Sequence, residues 1–92
     1  MVVDDRVLVG LRTLDGELGR FMDWMKREGH YENTAIVLAA DHGQEFLEHG
    51  GLGSGETLYD EQLHVPLVVK LPQSGRAGQR VRWQVRLIDV AP

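Results

Sequence analysis

An α/β fold follows from three features of the sequence. A long segment near the start repeats apolar residues at steps of three and four. A short, almost wholly apolar run, "TAIVLAA", follows after a turn. A second such run, "VPLVVKL", lies beyond a loop rich in charge and glycine. A helix placed before a buried strand is half of an α/β unit, and the second run supplies a neighbouring strand.

The first element is a helix expected over Asp5 to Glu28. Val7, Leu11, Leu14, Leu18, Phe21, Met22 and Met25 share one face. Asp4 or Asp5 can cap its start, and Lys26 and Arg27 suit the negative end of its dipole. Gly29 suits the left-handed residue that ends it. "HYENT" then makes a turn. The run Ala35–Ala39 holds Ile36 and Val37, is too short for a helix, and reads as a strand buried on both faces. Such strands are central and parallel to their neighbours, so the second run, Pro66–Lys70, is expected beside it and parallel to it. Pro66 stands at its start, where a missing N–H is tolerated. "PQSGRAGQR" is a polar turn, "VRWQV" alternates like a half-exposed strand, and "LIDVAP" reads as a helix start.

Composition narrows the function. The 92 residues carry a net charge of −4, so no nucleic-acid partner held by an overall basic surface is expected. There is no cysteine, which removes disulfides, thiolate metal sites and a cysteine nucleophile from these residues. No apolar run reaches membrane-spanning length, and Asp4, Asp5 and Arg6 interrupt any leader-like start.

The informative stretch is "AIVLAADHGQEFLEHGGLGSGET", Ala35 to Thr57. In open α/β sheets, ligands sit at the carboxyl ends of strands. Asp41 and His42 stand there, and a carboxylate oxygen and a neutral imidazole both suit a divalent cation. Gly43 lets the backbone turn so that the two converge. The alternative is that Asp41 caps a following helical turn and His42 is a surface residue. A helical turn would also put Glu45 and Glu48, or Glu45 and His49, on one face. That arrangement serves either a second metal or general acid, or a solvated face with His49 packed on the loop. "GGLGSGET" fits a phosphate-loop spacing, but Glu56 stands where that loop needs lysine, and the nucleotide reading is rejected.

"NTAIVLAADHGQEFLEHGG", "TLYDEQLHVPLVVKLP" and "LIDVAP", in this order, resemble the sulfatase family of the alkaline-phosphatase superfamily. "LGRFMDWMKREGHYENT" resembles the helix and turn that precede the Asp-His-Gly strand in that family. The resemblance covers nearly the whole chain and implies a portion of a large α/β sandwich with a mixed central sheet. It implies cleavage of sulfate esters, with phosphate and phosphonate esters as substrates of relatives. Asp41 and His42 match two ligands of the active-site cation. That cation is expected to be calcium, with magnesium, manganese and zinc as alternatives.

Two departures follow from the same resemblance. Many relatives carry histidine or lysine where this chain has Ser54, which can donate a hydrogen bond to the substrate but brings no positive charge. The family's nucleophile is a formylglycine made from the first residue of Cys/Ser-x-Pro-x-Arg. Neither Ser54 nor Ser74 begins that pattern, and the family's amino-terminal aspartates have no match. The 92 residues are therefore expected to be an internal piece of a sulfatase catalytic domain. That piece would lack the nucleophile-bearing half, stop short of the helix that follows "LIDVAP", and depend on the rest of the domain for turnover.

Overall fold

The computed structural model describes residues 5–46, 52–53 and 58–91. Helix α1 spans Asp5–Arg27, with Asp5 in its first turn and Lys26 and Arg27 in its last. Strand β1 is Ile36–Ala39, β2 is Glu45–Phe46, β3 is Leu52–Gly53, α2 is Asp60–Leu63 and β4 is Leu67–Lys70. One-turn 3₁₀ helices follow at Pro72–Ser74 and Leu87–Asp89. An α/β mixture, one long helix and two short strands where apolar runs predicted them are thus observed.

Helix α1 ends as its sequence requires. Gly29 takes φ 76°, and the amides of His30 and Tyr31 donate to the carbonyl of Met25 at 2.8 and 3.2 Å. A side chain at Gly29 would meet no neighbour, so only the backbone conformation demands glycine there. Gly29→Ala is expected to destabilise the chain by about 1 kcal/mol, read from chemical denaturation, with α1 otherwise intact.

The strand pairing corrects one expectation. β1 and β4 are neighbours, but they run antiparallel, with Ile36 opposite Lys70 and Ala39 opposite Leu67. A parallel pair needs a crossover of a dozen or more residues, usually a helix, laid across the sheet. Between β1 and β4 the described residues offer only the four-residue α2 and the small antiparallel β2–β3 ribbon. The chain therefore folds back on itself. β1 is not buried on both faces either: Val37 and Leu38 are exposed, as are Val68 and Val69 of β4.

Burial is equally sparse on α1. Met25 is buried and Leu18 and Met22 are half-buried, so the face foreseen at i, i+4 and i+7 exists at the helix's end. Leu11, Leu14 and Phe21 of the same stripe are exposed. The radius of gyration is 16.0 Å, against about 12 Å for a compact domain of this length. Among the described residues, most of the apolar stripe of α1 is exposed, and the stretch around Val85 and Val90 borders the ribbon.

Lys70 joins the ribbon to the turn after α1. Its ammonium donates to the carbonyls of Tyr31 and, at 3.0 Å, Thr34, and lies 4.2 Å from the centre of the Tyr31 ring. The Gln73 amide adds a bond to the Glu32 carbonyl at 2.6 Å. Lys70→Met keeps the stem and removes these donors. It is expected to cost about 1–3 kcal/mol, measured as a lower urea midpoint with unchanged slope.

The carboxyl-terminal part differs from its expectation. "VRWQV" forms no strand: its backbone meets no strand edge, and Val85 instead lines a shallow groove with Val37, Leu67 and Val69. "LIDVAP" does begin a helical turn, closed by Asp89 accepting from the Arg86 amide at 3.3 Å and facing its guanidinium at 3.1 Å.

Candidate functional site

β1 delivers Asp41 and His42 to one end of the β1–β4 ribbon. The pairing continues one step beyond the strands, where the Ala40 amide donates to the Pro66 carbonyl at 3.4 Å. The chain then turns. Asp41 Oδ1 accepts from the His42 amide at 2.9 Å, and the Gly43 amide donates to the Gln62 carbonyl at 2.7 Å. Asp41 therefore caps its own turn. No helix follows it, since Glu45 and Phe46 are extended in β2, and this removes the helical-turn face through Glu45.

The side chains converge. His42 Nε2 lies 3.7 Å from Asp41 Oδ2, and both groups are open to solvent, at 56% and 89% side-chain exposure. His42 Nδ1 stands 2.7 Å from the Gly43 carbonyl oxygen. A carbonyl can only accept, so Nδ1 carries the proton, and in the neutral ring the lone pair is on Nε2, the nitrogen facing Asp41. The sequence brings one carboxylate and one oriented imidazole to the same point of space.

His49, Glu48 and Ser54 lie outside the described residues. Among the described residues no group of three or more His, Asp or Glu side chains gathers into a metal cluster. The β1–β4 register carries His64 to the same end of the ribbon as His42.

Gln62 is the residue that sequence reasoning missed. It is the buried polar residue of the described part, 5% exposed, and its carbonyl holds the Gly43 turn. It sits in α2, a four-residue helix between polar neighbours. A single helical turn has no apolar repeat to announce it, so neither the helix nor the burial has a pattern in the sequence.

A family model described as Sulfatase matches residues 5–92. The chain belongs to the sulfatase family. With that membership goes the alkaline-phosphatase superfamily and its α/β fold, and a divalent metal in the family's general chemistry. Among curated relatives, the chain is 28% identical over 85 residues to an N-acetylglucosamine-6-O-sulfatase of Bacteroides thetaiotaomicron, covering 92% of the chain and 15% of the relative. It is 30% identical over 79 residues to the sulfatase YidJ of Escherichia coli, covering 86% and 15%. It is 35% identical over 86 residues to the multifunctional alkaline phosphatase superfamily protein PehA of Trinickia caryophylli, covering 90% and 16%. The chain thus spans about a sixth of the length of these relatives. No solved structure matches it significantly.

Proposed function

We propose that these residues are the inner, metal-holding part of the catalytic domain of a sulfuric ester hydrolase, with Asp41 and His42 as two ligands of its cation. The observation that carries the reading is the 3.7 Å approach of His42 Nε2 to Asp41 Oδ2 in a sulfatase-family chain. Two ligands that each lie about 2.0–2.6 Å from one ion are separated by no more than about 4–5 Å. The donor set fits: an anionic oxygen is paired with an imidazole whose other nitrogen is already engaged with a carbonyl, as metal-ligating histidines are. Calcium is the proposed ion, with magnesium, manganese or zinc as alternatives.

A bound cation would place positive charge against the ester oxygens as the leaving group departs. The chain's own residues do the rest of the local work. The Gly43–Gln62 bond fixes the turn that aims both ligands. The Asp41 carboxylate supplies negative charge to retain the ion, and its second oxygen is held by the His42 amide. Ser54 is assigned a hydrogen bond to the substrate, and His49 remains a candidate for an additional contact. The nucleophile is assigned to residues beyond these 92, in the other part of an α/β sandwich with a mixed sheet.

The relative PehA, described as a multifunctional alkaline phosphatase superfamily protein, supports a second reading. In it the parent enzyme is a phosphodiesterase, a phosphonate hydrolase or a phosphoethanolamine-type transferase. An inactive remnant is the third outcome. The test is the coding sequence around these residues, followed by assay of the encoded protein on aryl sulfate and aryl phosphate. An in-frame Cys/Ser-x-Pro-x-Arg motif with metal-dependent sulfate release supports the first reading. A threonine or unmodified serine nucleophile with phosphate-ester turnover supports the second. Absence of either frame supports the remnant.

A further inference from the structure

β1 is a strand with one edge in use. It pairs with β4, and no other strand of the described residues lies beside it. The Ala40 amide donates to the carbonyl of Pro66, the residue opposite it one step beyond the strands, so these two form a hydrogen-bonded pair. Hydrogen-bonded and non-hydrogen-bonded pairs alternate along an antiparallel ladder. Ile36 and Leu38 therefore direct their amides and carbonyls at β4, and Val37 and Ala39 direct theirs away from it. Among the described residues no hydrogen bond is made to that outward set.

The two edges of the ribbon differ. "TAIVLAA" holds no charge, proline or glycine. An apolar strand of this composition with bare backbone groups is a template for another strand. β4 is guarded instead: Pro66 precedes it without an N–H, and Lys70 ends it with a charge. A second β1 fits the open edge. Val37 and Ala39 both point outward, so an antiparallel two-fold pairing sets Val37 of one copy opposite Ala39 of the other, with Leu38 facing Leu38 on the axis. Asp41 then stands opposite Ala35, and no charge meets its like. Parallel pairing in register would set the two Asp41 carboxylates side by side, which is unfavourable.

We infer that β1 is a self-pairing edge: two copies of this chain join antiparallel through the outward groups of Val37 and Ala39, about Leu38, into one four-stranded sheet. A two-fold contact uses the same edge on both copies and closes, so assembly stops at the dimer with the guarded β4 edges outside. Neither metal nor substrate enters the contact, and it stands apart from the ester-hydrolase reading.

The test uses the 92-residue chain in EDTA, so that no cation bridges copies through Asp41 and His42. Sedimentation is expected to show monomer and dimer in exchange. Ala39→Pro removes an outward N–H from each copy and leaves the amides that face β4. It is expected to weaken the dimer by about tenfold or more with the far-ultraviolet spectrum kept. Leu14→Lys, on the exposed face of α1, is expected to leave it within about threefold. The chain has no cysteine, so Leu38→Cys is a clean reporter. Opposite residues of a non-hydrogen-bonded pair lie about 4.5 Å apart at Cα, within disulfide range, and mild oxidation should lock the dimer. Val68→Cys, opposite Leu38 within the ribbon and at least as exposed, should stay unlinked, because its copies lie three strand spacings apart, roughly 14 Å. If Ala39→Pro loses its spectrum, the two cysteine variants decide. A monomer at all concentrations, fibres in place of dimers, linking of Val68→Cys as fast as Leu38→Cys, or loss of the dimer in Leu14→Lys overturns the inference.

Discussion

Asp41→Ala is expected to abolish measurable binding of calcium, magnesium, manganese or zinc at the end of β1. The side chain is exposed and makes one local bond, to the His42 amide, so its removal should leave the fold unchanged. Loss of an outer-shell partner of a metal ligand costs about 10–100-fold in affinity, and loss of one of two direct ligands should cost at least as much. Binding by the unaltered chain should itself be weak, because two protein ligands leave most of the coordination shell to water. Calorimetric titration of both proteins with each ion is the measurement. His42→Ala should behave like Asp41→Ala, and Asp23→Ala, an exposed carboxylate on α1, should bind like the parent. Equal binding by the parent and Asp41→Ala would remove Asp41 from the ligand set and with it the main support of the proposed function.

What the sequence disclosed follows from how far each signal reaches along the chain. Helix α1 repeats its apolar residues over six turns, and its stop at Gly29 is a local matter, so the expected Asp5–Glu28 and the observed Asp5–Arg27 differ by one residue. The strands Ile36–Ala39 and Leu67–Lys70 were visible as apolar runs closed by polar residues. Their direction was not. Two apolar runs look the same whether paired parallel or antiparallel, and the choice lies in the connection, whose residues carry no periodic pattern. "VRWQV" failed for a related reason: alternation states which residues share a face, but a strand exists only where a partner edge is present. At the candidate site, the place of Asp41 and His42 after β1 could be read from chain order. The hydrogen bond that fixes the tautomer of His42 comes from the Gly43 carbonyl and the bond that fixes the turn from the Gln62 carbonyl, two backbone groups with no signature in side-chain identity.

The 92-residue chain alone is expected to hydrolyse neither aryl sulfate nor aryl phosphate above background, with any of the four cations. Enzymatic ester hydrolysis needs an acceleration of at least about 10⁶-fold. A cation held by Asp41 and His42, as proposed, would supply only part of it through charge on the ester oxygens. The covalent part needs an activated nucleophile, and neither Ser54-Gly55-Glu56 nor Ser74-Gly75-Arg76 is the Ser-x-Pro-x-Arg pattern. The structure adds a second expectation about the same sample. Leu8, Leu11, Leu14, Phe21 and Trp24 of α1 and Val37, Leu38, Val68 and Val69 of the ribbon are exposed, and apolar residues left bare in this number favour association. Sedimentation should therefore show association that grows with concentration, and, on the proposed function, addition of the remaining part of the catalytic domain should suppress it while restoring sulfate release. A monomeric chain that turns over aryl sulfate and loses that activity in Asp41→Ala would make these residues a complete small esterase, since the apolar faces would then need no partner and the nucleophile would have to lie among the groups already present.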